Sequence, residues 1–487
     1  MKVLKDLLYK VRLESVIGTT SVPVQSLTFD SRQAQADSLF FAVSGTKTDG
    51  HKFIDQVIAN GCRAIVCERA PEKIQPNVCY AVVGSTTEAM AQVAANFYDN
   101  PSQQLKLVGV TGTNGKTTVA TLLHQLFQRA GFKTGLLSTV KIVVDSQEFP
   151  ATHTTPDSIS INNYLRQMVD AGVDYCFMEV SSHGIHQNRT KGLRFAGAIF
   201  TNLSHDHLDY HKTFSEYRDV KKKFFDELDR DAFALVNIDD KNGNIMFQNT
   251  VAAQRTYALK TFADFRAQIL ENQIGGLLLK VNSKEVWVKL IGSFNAYNIL
   301  AIYGTAVLLG MPDDDALRYL SELESVSGRF QYFITEQKIT VIVDYAHTPD
   351  ALENVLNTIN GIRTGNENLI TVVGCGGDRD ATKRPVMGNI ATKLSNHTIF
   401  TSDNPRTENP DLILAEIEAG VEPQNFKKYI TISDRKSAIK SAITQSNPGD
   451  IILIAGKGHE TYQEINGVKY DFDDLEIAKT LTNQLNK

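Results

Sequence analysis

Residues 107–118 read LVGVTGTNGKTT and run directly into VATLLHQLFQRAG, residues 119–131. The apolar LVGV predicts a strand, the glycines after it a loop, and the spaced apolar residues that follow an amphipathic helix. Backbone N–H groups at the start of such a helix can cradle phosphate oxygens, the Lys116 ammonium can neutralise them, and the Thr117 hydroxyl can bind Mg²⁺. The spacing departs from the usual GxxxxGK[ST], because Val110 stands where the first glycine belongs. Gly112 and Gly115 form a shorter GTNGK[ST] version instead. ATP binding is the expectation. The use made of ATP does not follow, since kinases, motors, switches and ligases all employ phosphate loops.

Outward from this unit, short β-branched runs alternate with longer amphipathic segments through most of the chain, which predicts an α/β fold class. The 487 residues, 42% hydrophobic and 22% charged, suit about three domains of roughly 150 residues each. The polar stretch DNPSQQ from Asp99 and the stretch SVSGR ending at Arg329 mark the boundaries, giving domains over 1–99, 100–328 and 329–487. A net charge of -5 argues against a broadly basic surface for nucleic acid or anionic membrane. Cys62, Cys67, Cys79, Cys176 and Cys375 contain no CxxC pair, so neither a disulfide framework nor a cysteine zinc cluster is predicted, and a reducing cytosol fits. The opening MKVLKDLLYKVRLE interrupts its apolar residues with charges, and no stretch approaches about 18 uninterrupted apolar residues. A soluble, cytoplasmic protein without a membrane span is expected.

Several further stretches carry chemistry. YCFMEVSSH, residues 175–183, predicts a buried strand with Glu179 near its end, where a carboxylate can hold Mg²⁺ directly or through water. NLSHDHLDYH, residues 202–211, gathers three His and two Asp. Downstream, EYRDVKKKFF contains Lys221, Lys222 and Lys223, whose composition alone predicts a solvated helix face and singles out none of them. In the last third, TVIVDYAH, LITVVGCGGDRD, HTIFTSDNPR and DIILIAGKGHE read as buried parallel strands with polar endings. Ligands gather beyond the carboxyl ends of such strands, so the four endings point to one cleft. GCGGDR, residues 374–379, has Arg379 where the third glycine of a dinucleotide fingerprint belongs, and no NAD site is predicted. A guanidinium grips a carboxylate bidentately, so Arg406 in the DNPR run suits an amino acid with a second carboxylate at its far end, as in meso-diaminopimelate. Lysine lacks that group. A turn cap before Pro410 is the plainer alternative for Arg406.

Ten ordered motifs then carry a resemblance over almost the whole chain: DSR at Asp30 to Arg32, GTNGKTT, MEVSSHG, NLSHDHLDYH, GSFNAYN, Gly328-Arg329, DYAHTPDAL, GCGGDRD, DNPRTENP and AGKGHE. The chain resembles the Mur ligase family, and DYAHTPDAL with GCGGDRD and DNPR most resembles the type that makes the UDP-MurNAc-tripeptide. The resemblance implies an N-terminal domain for the uridine nucleotide, a central P-loop-type ATPase domain and a C-terminal Rossmann-like domain for the incoming amino acid. It selects Lys221 for carbamylation by CO₂, which turns a cation into a carboxylate able to bind metal. It places one Mg²⁺ on Thr117 and Glu179 and another on His207 and carbamylated Lys221, with Lys116, Glu179, His207 and Lys221 as the catalytic set.

By the same likeness ATP meets Gly112, Thr113, Asn114, Gly115, Lys116, Thr117 and Thr118, then Asn295, Arg329 and His347. The UDP-MurNAc-L-Ala-D-Glu substrate meets Phe29, Ser31, Thr46, Lys47 and Thr48, then Thr154, Thr155, Ser181, Gln187 and Arg189. His153 stands where some relatives carry Asn. The amino-acid pocket comprises Arg379, Asp403, Asn404, Pro405, Arg406, Gly456 and Glu460, with Glu460 facing the distal ammonium of meso-diaminopimelate. The implied reaction is phosphoryl transfer from ATP to the D-glutamyl carboxylate, then attack of an amino group on the acyl phosphate, carried out by a monomer. Three rivals remain open: a lysine-adding ligase of the same family, a folate-type polyglutamate ligase, and a nucleotide-dependent switch. A switch needs no amino-acid pocket, and a folate ligase needs no uridine domain.

Overall fold

The computed structural model describes residues 1–45, 48–204, 206 and 208–487. Among these residues the strands build three large sheets that succeed one another along the chain. The first runs from Leu13–Ile17 through Cys79–Val83, Ala64–Cys67 and Ser38–Phe41 to Ser26–Thr28, and its neighbours are parallel except at the Leu13–Ile17 edge. The second extends from Lys106–Thr111 to Lys284–Val288 in sequence, parallel through its middle and finished at both edges by antiparallel strands. The third is parallel apart from Gln331–Ile334 at one edge. The α/β alternation expected from the sequence is the architecture adopted.

The central sheet shows why its strands read as continuous apolar runs. Successive side chains of a strand point to opposite faces, and here both faces are covered. Val108, Val110, Phe177 and Ile199 pack on one side with the helices Lys116–Arg129 and Ser293–Leu308; Leu107, Met178, Ala198 and Phe200 pack on the other with Ser158–Asp170 and Phe214–Asp226. Helices on both faces of a parallel sheet leave no polar side to the strands. Active chemistry is thereby confined to the strand ends.

The chain passes from the first sheet to the second through Asp99 and Asn100, both in left-handed conformation, and the short 3-10 turn Pro101–Gln103. Gly328, with φ 64°, leads into the third. In that third sheet the register aligns Asp344 with Ala455, Ala455 with Val373, and Val373 with Phe400. All four predicted strands therefore stop at one edge, and the loops after them meet. Among the described residues no helix is long and apolar enough to cross a membrane.

Candidate active site

The strand Lys106–Thr111 lies between Tyr175–Glu179 and Gly197–Phe200, parallel to both. Register pairs Glu179 with Val110 and Phe200 with Thr111, so the carboxylate and the segment after Phe200 both flank the glycine loop. Glu179 is buried; its Oε2 accepts a 3.0 Å hydrogen bond from Thr117 Oγ1, and its Oε1 accepts one of 2.7 Å from the Thr139 backbone N–H. On the other flank, Asn202 accepts from Thr113 N through its carbonyl and from Asn114 N through its side chain. Gly112 has φ 150°, and a Cβ there would lie 1.9 Å from Thr201 Oγ1. The loop can lie this close to its neighbour only without a side chain. Gly115 caps the helix Lys116–Arg129, whose first turn carries Thr117 and Thr118.

Lys116 turns back over the loop and donates to the carbonyls of Gly112 and Thr113 at 3.0 and 2.8 Å. Lys221 reaches the same Gly112 carbonyl at 2.9 Å from the helix Phe214–Asp226, its ammonium 4.8 Å from the centre of the Tyr217 ring. The solvated face expected for the lysine run is corrected here: Lys221 and Lys222 are buried, Lys222 on Asp226, and only Lys223 remains largely in solvent. Burial lies behind this, because the helix packs Tyr217, Phe224 and Phe225 against the sheet and carries Lys221 in with them. Desolvation, reinforced by the charge of Lys116 and opposed by Asp206, holds the Lys221 amine well below its ordinary value. Desolvation also lowers Lys116, with Glu179 and Asp206 opposing.

The third unit reaches into this loop. Arg329 donates to Thr117 Oγ1 at 3.3 Å and lies over the Tyr345 ring at 4.5 Å. Asp350, in the first turn of the helix Pro349–Ile362, accepts 2.9 Å hydrogen bonds from Asn114 Nδ2 and Ser204 Oγ. His347 bonds through Nδ1 to its neighbour's carbonyl, Tyr345 O, at 2.8 Å. Asn295 is buried, tied to Ile291 O and Asn298; Asn298 in turn crowds Gly115. The predicted ATP residues are thus brought to one place from two units of the chain.

At the edge shared by the third sheet's strand ends, Arg406 donates from Nη1 to Gly377 O at 2.7 Å and pairs through Nε with Glu464 at 3.5 Å. Asp403 and Asn404 are buried beside it, Pro405 packs its carbonyl against Gly377, and Gly456 faces the Asp403 carboxylate. Glu460 is held through one of its two carboxylate oxygens. Its Oε2 already pairs with Lys457 at 3.0 Å and accepts from Asn404 Nδ2 at 2.7 Å. Arg379 is exposed on the adjoining loop.

The residues expected to meet the UDP-linked substrate fall into two groups. Thr154, Thr155, Ser181, Gln187 and Arg189 cluster around the end of Tyr175–Glu179. Thr154 accepts from Thr139, Thr155 bridges Glu179 O and Ser181 N, and Arg189 joins Thr155 O to the Gln187 side chain. Phe29, Ser31 and Thr48 lie instead beyond the carboxyl ends of the parallel strands Ser26–Thr28 and Ser38–Phe41 in the first sheet, with Phe29 exposed. No hydrogen bond joins them to the central group among the described residues. His153 is exposed, and among the described residues its ring bonds the neighbouring Thr152. Thr46, Lys47 and His207 lie outside the described residues.

Thr117 Oγ1 and Glu179 Oε2, 3.0 Å apart, match the spacing of neighbouring oxygens in an octahedral shell with bonds of about 2.1 Å. The pair therefore fits Mg²⁺. Sequence reading missed Asp350, Lys457 and Glu464. Asp350 and Lys457 stand inside quoted motifs, DYAHTPDAL and AGKGHE, but Asp350 meets Asn114 and Ser204, and Lys457 meets Asn404, across long stretches of chain. Glu464 stands outside every motif and carried no signal.

Three family models match consecutive stretches: "Mur ligase family, catalytic domain" over residues 23–98, "Mur ligase middle domain" over 110–306, and "Mur ligase, glutamate ligase domain" over 328–458. The UDP-N-acetylmuramoyl-L-alanyl-D-glutamate--2,6-diaminopimelate ligase of Cytophaga hutchinsonii is 55% identical over 99% of this chain and the whole of its own. That of Bacteroides thetaiotaomicron is 50% identical with the same coverage. A solved structure of a ligase with the same name is 30% identical, with a TM-score of 0.71 over 100% of this chain and 99% of that one.

Proposed function

The chain belongs to the Mur ligase family, and on that footing we propose that it uses ATP to join meso-diaminopimelate to UDP-MurNAc-L-Ala-D-Glu. The observation that carries the choice of amino acid is Arg406, a guanidinium anchored on Gly377 O where the strand endings meet, beside a carboxylate that it can exchange for one of the substrate's. Lysine offers no second carboxylate to that position. The end-to-end likeness to ligases named for 2,6-diaminopimelate supports the same choice.

Chemically, the D-glutamyl carboxylate takes the terminal phosphoryl group of ATP, and the amino group of the third amino acid displaces phosphate from the acyl phosphate. Two anions must first approach each other. The loop from Gly112 to Thr118 holds the phosphates through its N–H groups, and Lys116 places a positive charge against them. Mg²⁺ supplies further neutralisation of the phosphates when bound. Thr117 and Glu179 are the residues that would hold it. Arg329, Asn295 and His347 complete the ATP site, while Thr154, Thr155, Ser181, Gln187 and Arg189 receive the peptide end of the substrate and Phe29, Ser31, Thr46, Lys47 and Thr48 its uridine end. Closure of the third unit over the loop keeps water from the acyl phosphate.

Lys221 is assigned to carbamylation. Burial favours its neutral amine, the form that adds CO₂ with loss of a proton, and the resulting carboxylate and His207 are the groups that would hold a second Mg²⁺. The five cysteines, all free, support a cytosolic location, and a monomer is the working unit.

Phosphate release with Mg-ATP and UDP-MurNAc-L-Ala-D-Glu tests the reading, comparing meso-diaminopimelate, L-lysine and no amino acid. Turnover with diaminopimelate alone is expected. Turnover with lysine would keep the ligase and remove the role given to Arg406.

A further inference from the structure

Lys457 is fully buried, with no exposure of its side chain, although it belongs to a loop and not to a strand or helix. Gly458, next to it, has φ 54°, and a Cβ there would lie 2.6 Å from Tyr345 Cβ and 2.7 Å from Gly328 O. The backbone is thus pressed against the passage between the second and third units, and the lysine side chain turns inward. An ammonium has three N–H groups and no acceptor. All three are used: on Glu460 Oε2 at 3.0 Å, on Asn404 Oδ1 at 3.2 Å, and on the Tyr462 carbonyl.

The contacts close a triangle, because Asn404 Nδ2 donates to the same Glu460 oxygen at 2.7 Å. Asn404 Oδ1 also accepts from Glu464 N at 2.9 Å, so two donors face it and the amide has one orientation. Glu460 Oε2 is doubly held. Its other oxygen accepts no hydrogen bond among the described residues, and it is the one left for an incoming amine. Lys457 cannot itself touch substrate from a site without exposure. It joins the two loops that carry the pocket, 403–406 and 456–460, at a single charged point.

We propose that Lys457 is a positioning residue for the amino-acid substrate, its buried ammonium fixing Glu460 and Asn404 in the arrangement that receives the ammonium and carboxylate of the third amino acid. The inference rests on the ligase reading above. Removing the ammonium leaves a carboxylate without its counter-charge and an amide oxygen short of a donor, a change that acts on the pocket and not on the phosphate loop.

The test is steady-state kinetics of Lys457→Met with each substrate varied in turn, beside thermal melting. The KM for meso-diaminopimelate is expected to rise roughly ten- to hundredfold, while the KM values for ATP and the UDP-linked substrate change by less than about threefold. An unchanged KM for diaminopimelate, with apparent kcat falling only in proportion to the folded fraction, overturns the assignment. If Lys457→Met does not fold, Lys457→Gln keeps donors for Asn404 and Tyr462 while giving up the charge on Glu460, and a smaller rise confined to the same KM is expected. Failure of both variants to fold assigns Lys457 to stability alone and overturns the proposal. Unmodified protein that does not turn over diaminopimelate overturns the ligase reading and this one with it; unmodified protein that does, beside a variant with unaltered KM, overturns only this one.

Discussion

Asp350 Oδ2 accepts a hydrogen bond from Asn114 Nδ2 at 2.9 Å, joining the third unit of the chain to the glycine loop of the second across 236 residues of sequence. The same oxygen accepts from Ser204 Oγ at 2.9 Å. One carboxylate therefore holds both walls of the phosphate site. Asp350→Ala is expected to raise the KM for ATP about tenfold, equivalent to roughly 1.4 kcal/mol, and to leave the KM for the amino acid within about twofold. Initial rates at varied ATP check this. An unchanged KM for ATP would make the contact incidental to nucleotide binding.

Lys221 is buried, and burial first, then the charge of Lys116, favours its neutral amine. Lys221→Ala is expected to abolish ligation, and added short-chain carboxylic acid to restore part of it by replacing the missing carboxylate. Phosphate release with and without acetate is the measurement. Full activity in the unrescued variant would take Lys221 out of the mechanism.

His124 supplies a pH dependence remote from the chemistry. It lies on the buried face of the helix Lys116–Arg129, its Nδ1 without a partner among the described residues, and desolvation with help from Lys141 lowers it from 6.5 to about 4. The folded state thus binds the proton less tightly than the unfolded state. Between about 6.5 and about 4 the unfolded chain holds more protons, so stability is fully present above that window and falls as pH falls through it. At about 1.4 kcal/mol per unit the loss reaches roughly 3 kcal/mol. His124→Leu should flatten this part of the profile, as read by urea unfolding at pH 5 and 7.5; an equally steep loss in the variant would place the acid sensitivity elsewhere.

Much of the site was legible because its signals are local. A strand, a glycine loop and a helix within residues 107–129 announce a phosphate site through contiguous residues, whatever surrounds them. Glu179 could be placed at a strand end, and the four polar endings of the last third at one edge, because runs of buried apolar residues show where parallel strands stop. The lysine run was misread for the opposite reason. KKK has the composition of a wet surface, and only the packing of Tyr217, Phe224 and Phe225 against the sheet decides that Lys221 and Lys222 go in while Lys223 stays largely out.

By itself the sequence determined the alternation of strands and helices, the phosphate loop and the polar strand endings, since each follows from periodicity or spacing within a few residues. The tertiary structure alone decided the partners. Thr117 meets Glu179 because register sets Glu179 beside Val110, Asn114 meets Asp350 because two separate units dock, and Lys457 meets Asn404 because parallel strands stop level with one another. Such pairings depend on how distant segments align, and alignment is settled by the burial of whole faces, which no short stretch of residues encodes.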